Sequence, residues 1–91
     1  MATGCVKELI EELKKIEGEN VWIHIWNKLY GNQNLKCAFH LLNDEKRLGF
    51  LINDQEIYIE KNRICNIGIK GELYYFADEI MCIKIRKLQS S

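Results

Sequence analysis

Residues 6–28 read VKELIEELKKIEGENVWIHIWNK, and their hydrophobic period changes at Gly18. Before Gly18, apolar side chains recur at the spacing of one stripe on an amphipathic helix, with charged residues on the opposite side. The stripe consists of Val6, Leu9, Ile10, Leu13 and Ile16. From residue 21 onward the period becomes two, which is typical of a β-strand. This change predicts a helix over about residues 5–17, ended by Gly18, and strands after it.

Seven short β-prone runs follow Gly18 without a single proline. Clusters of Asn, Asp and Gly separate the runs, and these residue types favour turns. Short strands divided by turns are typical of consecutive antiparallel hairpins. The predicted runs are Asn20–Lys28, Leu35–Asn43, Arg47–Asn53, Glu56–Glu60, Arg63–Lys70, Glu72–Ala77 and Ile80–Lys87.

The chain of 91 residues is long enough for one domain with a modest core. We therefore predict a mostly β (α+β) fold: an N-terminal amphipathic helix packed on a small, strongly bent antiparallel barrel of five to seven strands. The predicted domain covers residues 1–91, with the helix at about 5–17, the barrel at about 20–87 and a disordered tail at 88–91.

The net charge and the spacing of the cysteines limit the classes of function that the chain can have. Lysine plus arginine and aspartate plus glutamate both number 13, so the formal net charge is zero and any nucleic-acid site must be a local patch. Four cysteines lie far apart, three of them in apolar strand patterns, which predicts free thiols. No apolar run approaches the length of a membrane span, and the N-terminus has no secretion-signal pattern. We expect a cytoplasmic protein without a membrane partner.

An N-terminal helix followed by bent strands resembles the Sm-like family, with residues 76–80, FADEI, similar to the turn before the family's last strand. The resemblance covers roughly residues 7–87 and implies a ring-forming barrel. Phe76 and Glu79 stand where the family places the arginine and asparagine that contact RNA. Asn43 and Asp44 occur in the reverse order of the family's first signature. The uridine pocket is therefore not carried over, and an SH3-like barrel fits the pattern about as well.

Motifs for catalysis and metal binding are missing from the sequence. It has no nucleophile elbow, no glycine-rich phosphate loop and no Cys-x-x-Cys pair. Cys37 and His40 are three apart on a predicted strand, so they face opposite ways. We predict no catalytic residue, no metal ligand and no cofactor, and we interpret the chain as a non-enzymatic module.

The first two runs are expected to pair symmetrically about the loop at residues 30–31. His24 would then lie opposite Cys37. Trp22 would lie opposite Phe39, giving a packed aromatic face that contains one imidazole.

Two surfaces are candidates for binding. Trp22, Trp26 and Tyr30 recur every four residues as an aromatic row that is either core or contact surface. Alternation in the last run places Lys84 and Arg86 on the side opposite Met81, Ile83 and Ile85. The candidate binding surface comprises Trp22, Trp26, Tyr30, Lys84, Arg86 and Lys87.

The last run is also a candidate edge for self-association. It is β-branched, with its charges on one side and at its end, and an unprotected edge invites strand pairing between copies. The residues proposed for this edge are Ile80, Cys82, Ile83 and Ile85.

Two functions remain open. The preferred hypothesis is a homo-oligomeric module that acts through self-association and interaction with another protein. The alternative is a weak binder of single-stranded RNA or DNA, of Sm-like type.

Overall fold

The computed structural model of the chain describes residues 2–29 and 31–88. Within these residues, one helix, α1, is followed by eight strands and a short 3-10 turn at Lys61–Arg63. The elements are α1 (Ala2–Ile16), β1 (Val21–Asn27), β2 (Gly31–Cys37), β3 (His40–Asn43), β4 (Arg47–Ile52), β5 (Gln55–Glu60), β6 (Asn66–Lys70), β7 (Leu73–Ala77) and β8 (Met81–Lys87).

The helix α1 begins earlier than the predicted residue 5 and ends one residue before the predicted 17. Its apolar stripe is buried at Leu9, Ile10, Leu13 and Ile16. Gly18 has a φ of 87°, a left-handed conformation that glycine adopts without strain and that turns the chain away from the helix. The backbone N–H of Gly18 donates to the carbonyl oxygen of Phe39 at 3.1 Å, which ties the end of the helix to the sheets.

The strands form two antiparallel sheets. The larger has five strands in the order β2-β1-β8-β7-β6, and the smaller has three in the order β3-β4-β5. Their apolar faces and α1 enclose one core. Phe39, Phe50 and Phe76 lie in this core. The ring centroid of Phe50 is 5.0 Å from that of Phe39 and 5.7 Å from that of Phe76. The helix contacts β6 and β3, and therefore covers the side of the core where these two edge strands lie.

The predicted fold class is confirmed at its coarse level and wrong in its finer detail. The fold is mostly β with one helix, as expected, but the described residues form two sheets with eight strands and no closed barrel. Residues 89–91 of the predicted tail lie outside the described part of the chain. Leu88, the first residue of that tail, is 39% exposed.

The extra strand comes from the predicted run Leu35–Asn43, which the structure divides. Residues 31–34 belong to β2 although their Gly and Asn content favours a turn, because pairing with β1 outweighs that preference at an exposed edge. Ala38 and Phe39 then lead from the larger sheet to the smaller one. Phe39 is fully buried, so its burial fixes the position of this break.

The predicted register of the first hairpin is also wrong. Asn27 pairs with Gly31, which centres the connection on Leu29 rather than between residues 30 and 31. His24 consequently lies opposite Asn34, not Cys37. Trp22 lies opposite Lys36, not Phe39. A shift of this kind depends on the loop conformation, which residue types alone did not specify.

The strand predicted as a free edge is an interior strand. β8 pairs with β1 on one side and with β7 on the other, so its backbone is engaged on both sides. Ile83 and Ile85 are buried in the core, and Ile80 lies in the preceding turn. The expectation that β8 pairs with another copy is therefore wrong, because the edges of this sheet are β2 and β6.

Candidate functional site

The face of the five-stranded sheet that points away from the core is the candidate site, and we call it the outer face. Strand registers place three rows of five residues across it. The rows are Lys36, Trp22, Arg86, Leu73 and Lys70; Asn34, His24, Lys84, Tyr75 and Gly68; and Asn32, Trp26, Cys82, Ala77 and Asn66. The alternate residues of the same strands face the core.

The charge of the outer face differs from that of the whole chain. Four of its side chains are cationic, namely Lys36, Lys70, Lys84 and Arg86. None of the chain's 13 carboxylates occupies any of the fifteen positions, although the chain as a whole is neutral. The sheet therefore concentrates positive charge on one side of the molecule, which attracts anions locally.

The Trp22 ring contacts two neighbouring side chains on this face. Its ring stacks on the His24 imidazole with centroids 5.6 Å apart and planes inclined by 15°. The guanidinium carbon of Arg86 lies 5.7 Å from the centroid of the Trp22 ring, which is within cation–π distance. The half-buried indole thus positions an exposed cation.

Trp26 is the more accessible of the two indoles, at 41% exposed. Its cross-strand partners are Asn32 and Cys82, two uncharged side chains smaller than the indole. Burial raises the pKa of the Cys82 thiol, while the charge of Lys84 acts in the opposite direction. The thiol beside Trp26 is therefore protonated at neutral pH and has low nucleophilicity.

Tyr75 adds a third aromatic ring to the outer face. Its phenol ring lies over Gly68, its cross-strand partner, where a Cβ atom would overlap the ring. Glycine at this position thus lets the ring lie close to the backbone of β6.

The structure brings together four of the six residues predicted for the binding surface: Trp22, Trp26, Lys84 and Arg86. The alternation predicted in the last run is confirmed, since Ile83 and Ile85 are buried behind them.

Two predicted residues of that surface do not join the group. Lys87 pairs with Val21 at the exposed end of β8. It directly follows Arg86 in the strand, so it lies on the opposite side of the sheet from Lys84 and Arg86. Tyr30 lies outside the described residues. Lys36 and Tyr75 were missed, because only the registers show which residues of β2 and β7 share a face with Trp22.

Cysteine and histidine side chains are dispersed in the structure. Cys37 ends β2 in the larger sheet, whereas His40 begins β3 in the smaller one. The prediction that one strand carries both residues is therefore wrong. Cys37, Cys65 and Cys82 are free thiols. Within the described part of the chain, no three His, Cys, Asp or Glu side chains are grouped closely enough to hold a metal ion.

A concavity of about 340 Å³ lies on the smaller sheet beside Asp44, Arg47 and Tyr58. Its cation is already engaged, because the Arg47 guanidinium bonds to the Asp44 carboxylate at 3.2 Å and lies 4.9 Å from the centroid of the Tyr58 ring. This concavity offers a ligand less free charge than the outer face does.

Two residues of the segment that resembles the Sm-like turn have structural roles. Phe76 is 1% exposed and packs in the core. The Asp78 Oδ1 atom accepts hydrogen bonds from the backbone N–H groups of Ile80 and Met81, at 2.8 and 2.7 Å. These two residues shape the core and the turn rather than a binding surface.

No model of a protein family, no curated protein and no solved structure matches this chain. Among the described residues, no helix has both the length and the apolar character needed to cross a bilayer.

Proposed function

We propose that the chain is a non-enzymatic binding module that holds single-stranded nucleic acid on the outer face of its five-stranded sheet. The observation that carries this proposal is the composition of that face: indole and phenol rings beside four cations, without a carboxylate. Aromatic rings stack on bases, and lysine and arginine neutralise phosphates.

The accessible ring favours a single strand over a duplex. Stacking on the face of Trp26 requires a base that is not already stacked between neighbours, and single strands present such bases. Arg86, positioned by Trp22, would contact the phosphate between stacked bases.

The neutral chain implies weak binding with a defined salt dependence. If the four cations each contact one phosphate, the slope of log affinity against log salt is about −3 for a single strand. Affinity should then fall about fifty-fold between about 50 mM and about 200 mM salt.

Intrinsic fluorescence provides a direct test, because both tryptophans of the chain lie on the outer face. Titration with oligo(U) and oligo(dT) should quench this fluorescence, and a duplex of equal length should quench it less. The anisotropy of a labelled oligonucleotide measures the affinity. Absence of both signals at about 100 µM protein and about 50 mM salt would contradict the proposal.

A matched pair of variants identifies the surface. Trp26 and Tyr58 are both 41% exposed, but Tyr58 lies on the smaller sheet. Trp26→Ala should weaken binding by about 5- to 150-fold, the range for loss of one stacked base. Tyr58→Ala should bind like the wild type. Equal losses in the two variants, or none in Trp26→Ala, would show that the outer face does not bind bases.

This proposal shares the class of ligand with the Sm-like family but uses other residues. It relies on β1 and β8, whereas the segment that resembles the family's second signature is residues 76–80. The other hypothesis, action through self-association, needs an edge other than β8.

A further inference from the structure

The edge strands of the two sheets differ in how they are protected against pairing with another strand. Natural proteins protect such edges with charged residues, short strands, bulges or a covering element. In the described residues, β6 contacts α1, and β3 has only four residues. The Leu41 N–H in β3 also donates to the Glu17 carboxylate at 2.7 Å. β5 carries two exposed glutamates, Glu56 and Glu60.

β2 has only one of these protections, a single charged residue. It contains seven residues, it pairs with β1 in an unbroken register without a bulge, and its only charged residue is Lys36. Residues 31–34 are exposed. β2 lies at the end of the strand order, so its second side has no partner strand among the described residues.

We infer that β2 pairs with β2 of a second copy of this chain, antiparallel about a two-fold axis at Asn34. Antiparallel pairing about one residue makes the contact self-complementary, as a two-fold dimer requires. Asn34 would face its own equivalent, and Lys36 would face the uncharged Asn32 of the other copy. The two lysines therefore avoid each other, and the chains carry no net charge that would oppose their association at long range.

A cavity next to β2 supports the inference that a second copy of the chain pairs with this edge. It measures about 200 Å³ and lies between the larger sheet and β5, with Ile25, Ile57 and Met81 among its lining residues. Gln33 of β2 also lines it. In the proposed register, Leu35 of the second copy lies opposite Gln33, so an apolar side chain reaches the mouth of an opening that three apolar and three amide side chains line.

The resulting dimer has one ten-stranded sheet with the two outer faces side by side. This inference is independent of the proposed function, because the pairing uses the backbone of β2 and needs no nucleic acid. Sedimentation equilibrium tests it directly. The mass should rise from 10.7 kDa to twice that value between about 10 µM and about 1 mM chain.

Charge variants at Asn34 test the position of the axis. Asn34→Lys places like charges opposite each other and should raise the dissociation constant by about five-fold, and Asn34→Glu should do the same. An equimolar mixture of the two variants should associate again, because the opposite charges face each other in the mixed dimer. Asn66→Lys, on the outer face of the edge strand β6, is the matched control and should associate like the wild type.

Amide hydrogen exchange supplies a second measurement. Amides of residues 31–37 should become more protected as the chain concentration rises, while those of β6 should not change. A mass that stays at 10.7 kDa at about 1 mM would overturn the inference. Association that neither Asn34 variant weakens, or that the mixture fails to restore, would also overturn it.

Discussion

The guanidinium carbon of Arg86 lies 5.7 Å from the centroid of the Trp22 ring, and the two residues are direct cross-strand partners in β8 and β1. This contact links two features that are 64 positions apart in the sequence: an aromatic row near the start of the sheet and a cation near its end. Because the ring restricts the long arginine side chain, less conformational entropy is lost when its remaining donors bind an anion.

The contact between Arg86 and Trp22 predicts that the charge of Arg86 and the positioning of its side chain affect oligonucleotide binding in different ways. Arg86→Ala removes one phosphate contact, so the salt slope of oligonucleotide binding should become about 0.7 less steep. Trp22→Leu keeps the charge but frees the side chain, so affinity should fall while the slope stays unchanged. Anisotropy titrations at several salt concentrations measure both quantities. Lys14→Ala, which removes an exposed cation from α1, is the control, and an unchanged slope in Arg86→Ala would contradict the assignment.

Two glycines that face tyrosines predict unequal stability losses. A Cβ atom at Gly49 would overlap the Ile57 carbonyl oxygen and the Tyr58 Cα atom, so β4 and β5 would have to separate. We expect Gly49→Ala to lower the free energy of unfolding by about 3 kcal/mol. At Gly68 the overlap involves the end of the Tyr75 side chain, which can rotate, so Gly68→Ala should cost about 1 kcal/mol. Urea denaturation compares the two variants, and equal losses would contradict this explanation.

The turn before β4 predicts a pH-dependent contribution to stability. The Asp44 Oδ1 atom accepts hydrogen bonds from the backbone N–H groups of Lys46 and Arg47, and these bonds hold the pKa of the Asp44 carboxyl below its ordinary value of 3.8. The unfolded chain therefore binds a proton at a higher pH than the folded chain. The contribution is complete above pH 3.8 and is lost as the pH falls through the lower pKa of the folded state.

Asp44→Asn keeps an acceptor oxygen but cannot titrate in this range. Its free energy of unfolding should therefore fall less than that of the wild type between about pH 5 and about pH 2. Denaturation curves over this range provide the measurement. Glu45→Gln removes the neighbouring carboxylate and controls for the change in net charge; if both variants have the same pH profile, the turn is not the cause.

Local patterns were sufficient for the helix and for most of the strands. The 3.6-residue stripe from Val6 to Ile16 predicted α1, because an amphipathic helix must bury one side. Alternation predicted β1 and β8 and the separation of Lys84 from Ile83, because successive side chains of a strand point to opposite sides. Boundaries failed where polar residues formed an edge strand, as in residues 31–34.

The sequence by itself determined the helix, most of the strands and the side of β8 that carries Lys84 and Arg86, since these depend on neighbouring residues. Only the tertiary structure decided that β8 lies between β1 and β7 and that β2 is an edge. It also decided that Trp22 meets Arg86 and that Lys36 and Tyr75 share their face. Strand order and register depend on hydrogen bonds between segments far apart in the chain, and the periodicity of a single segment contains no information about its partners.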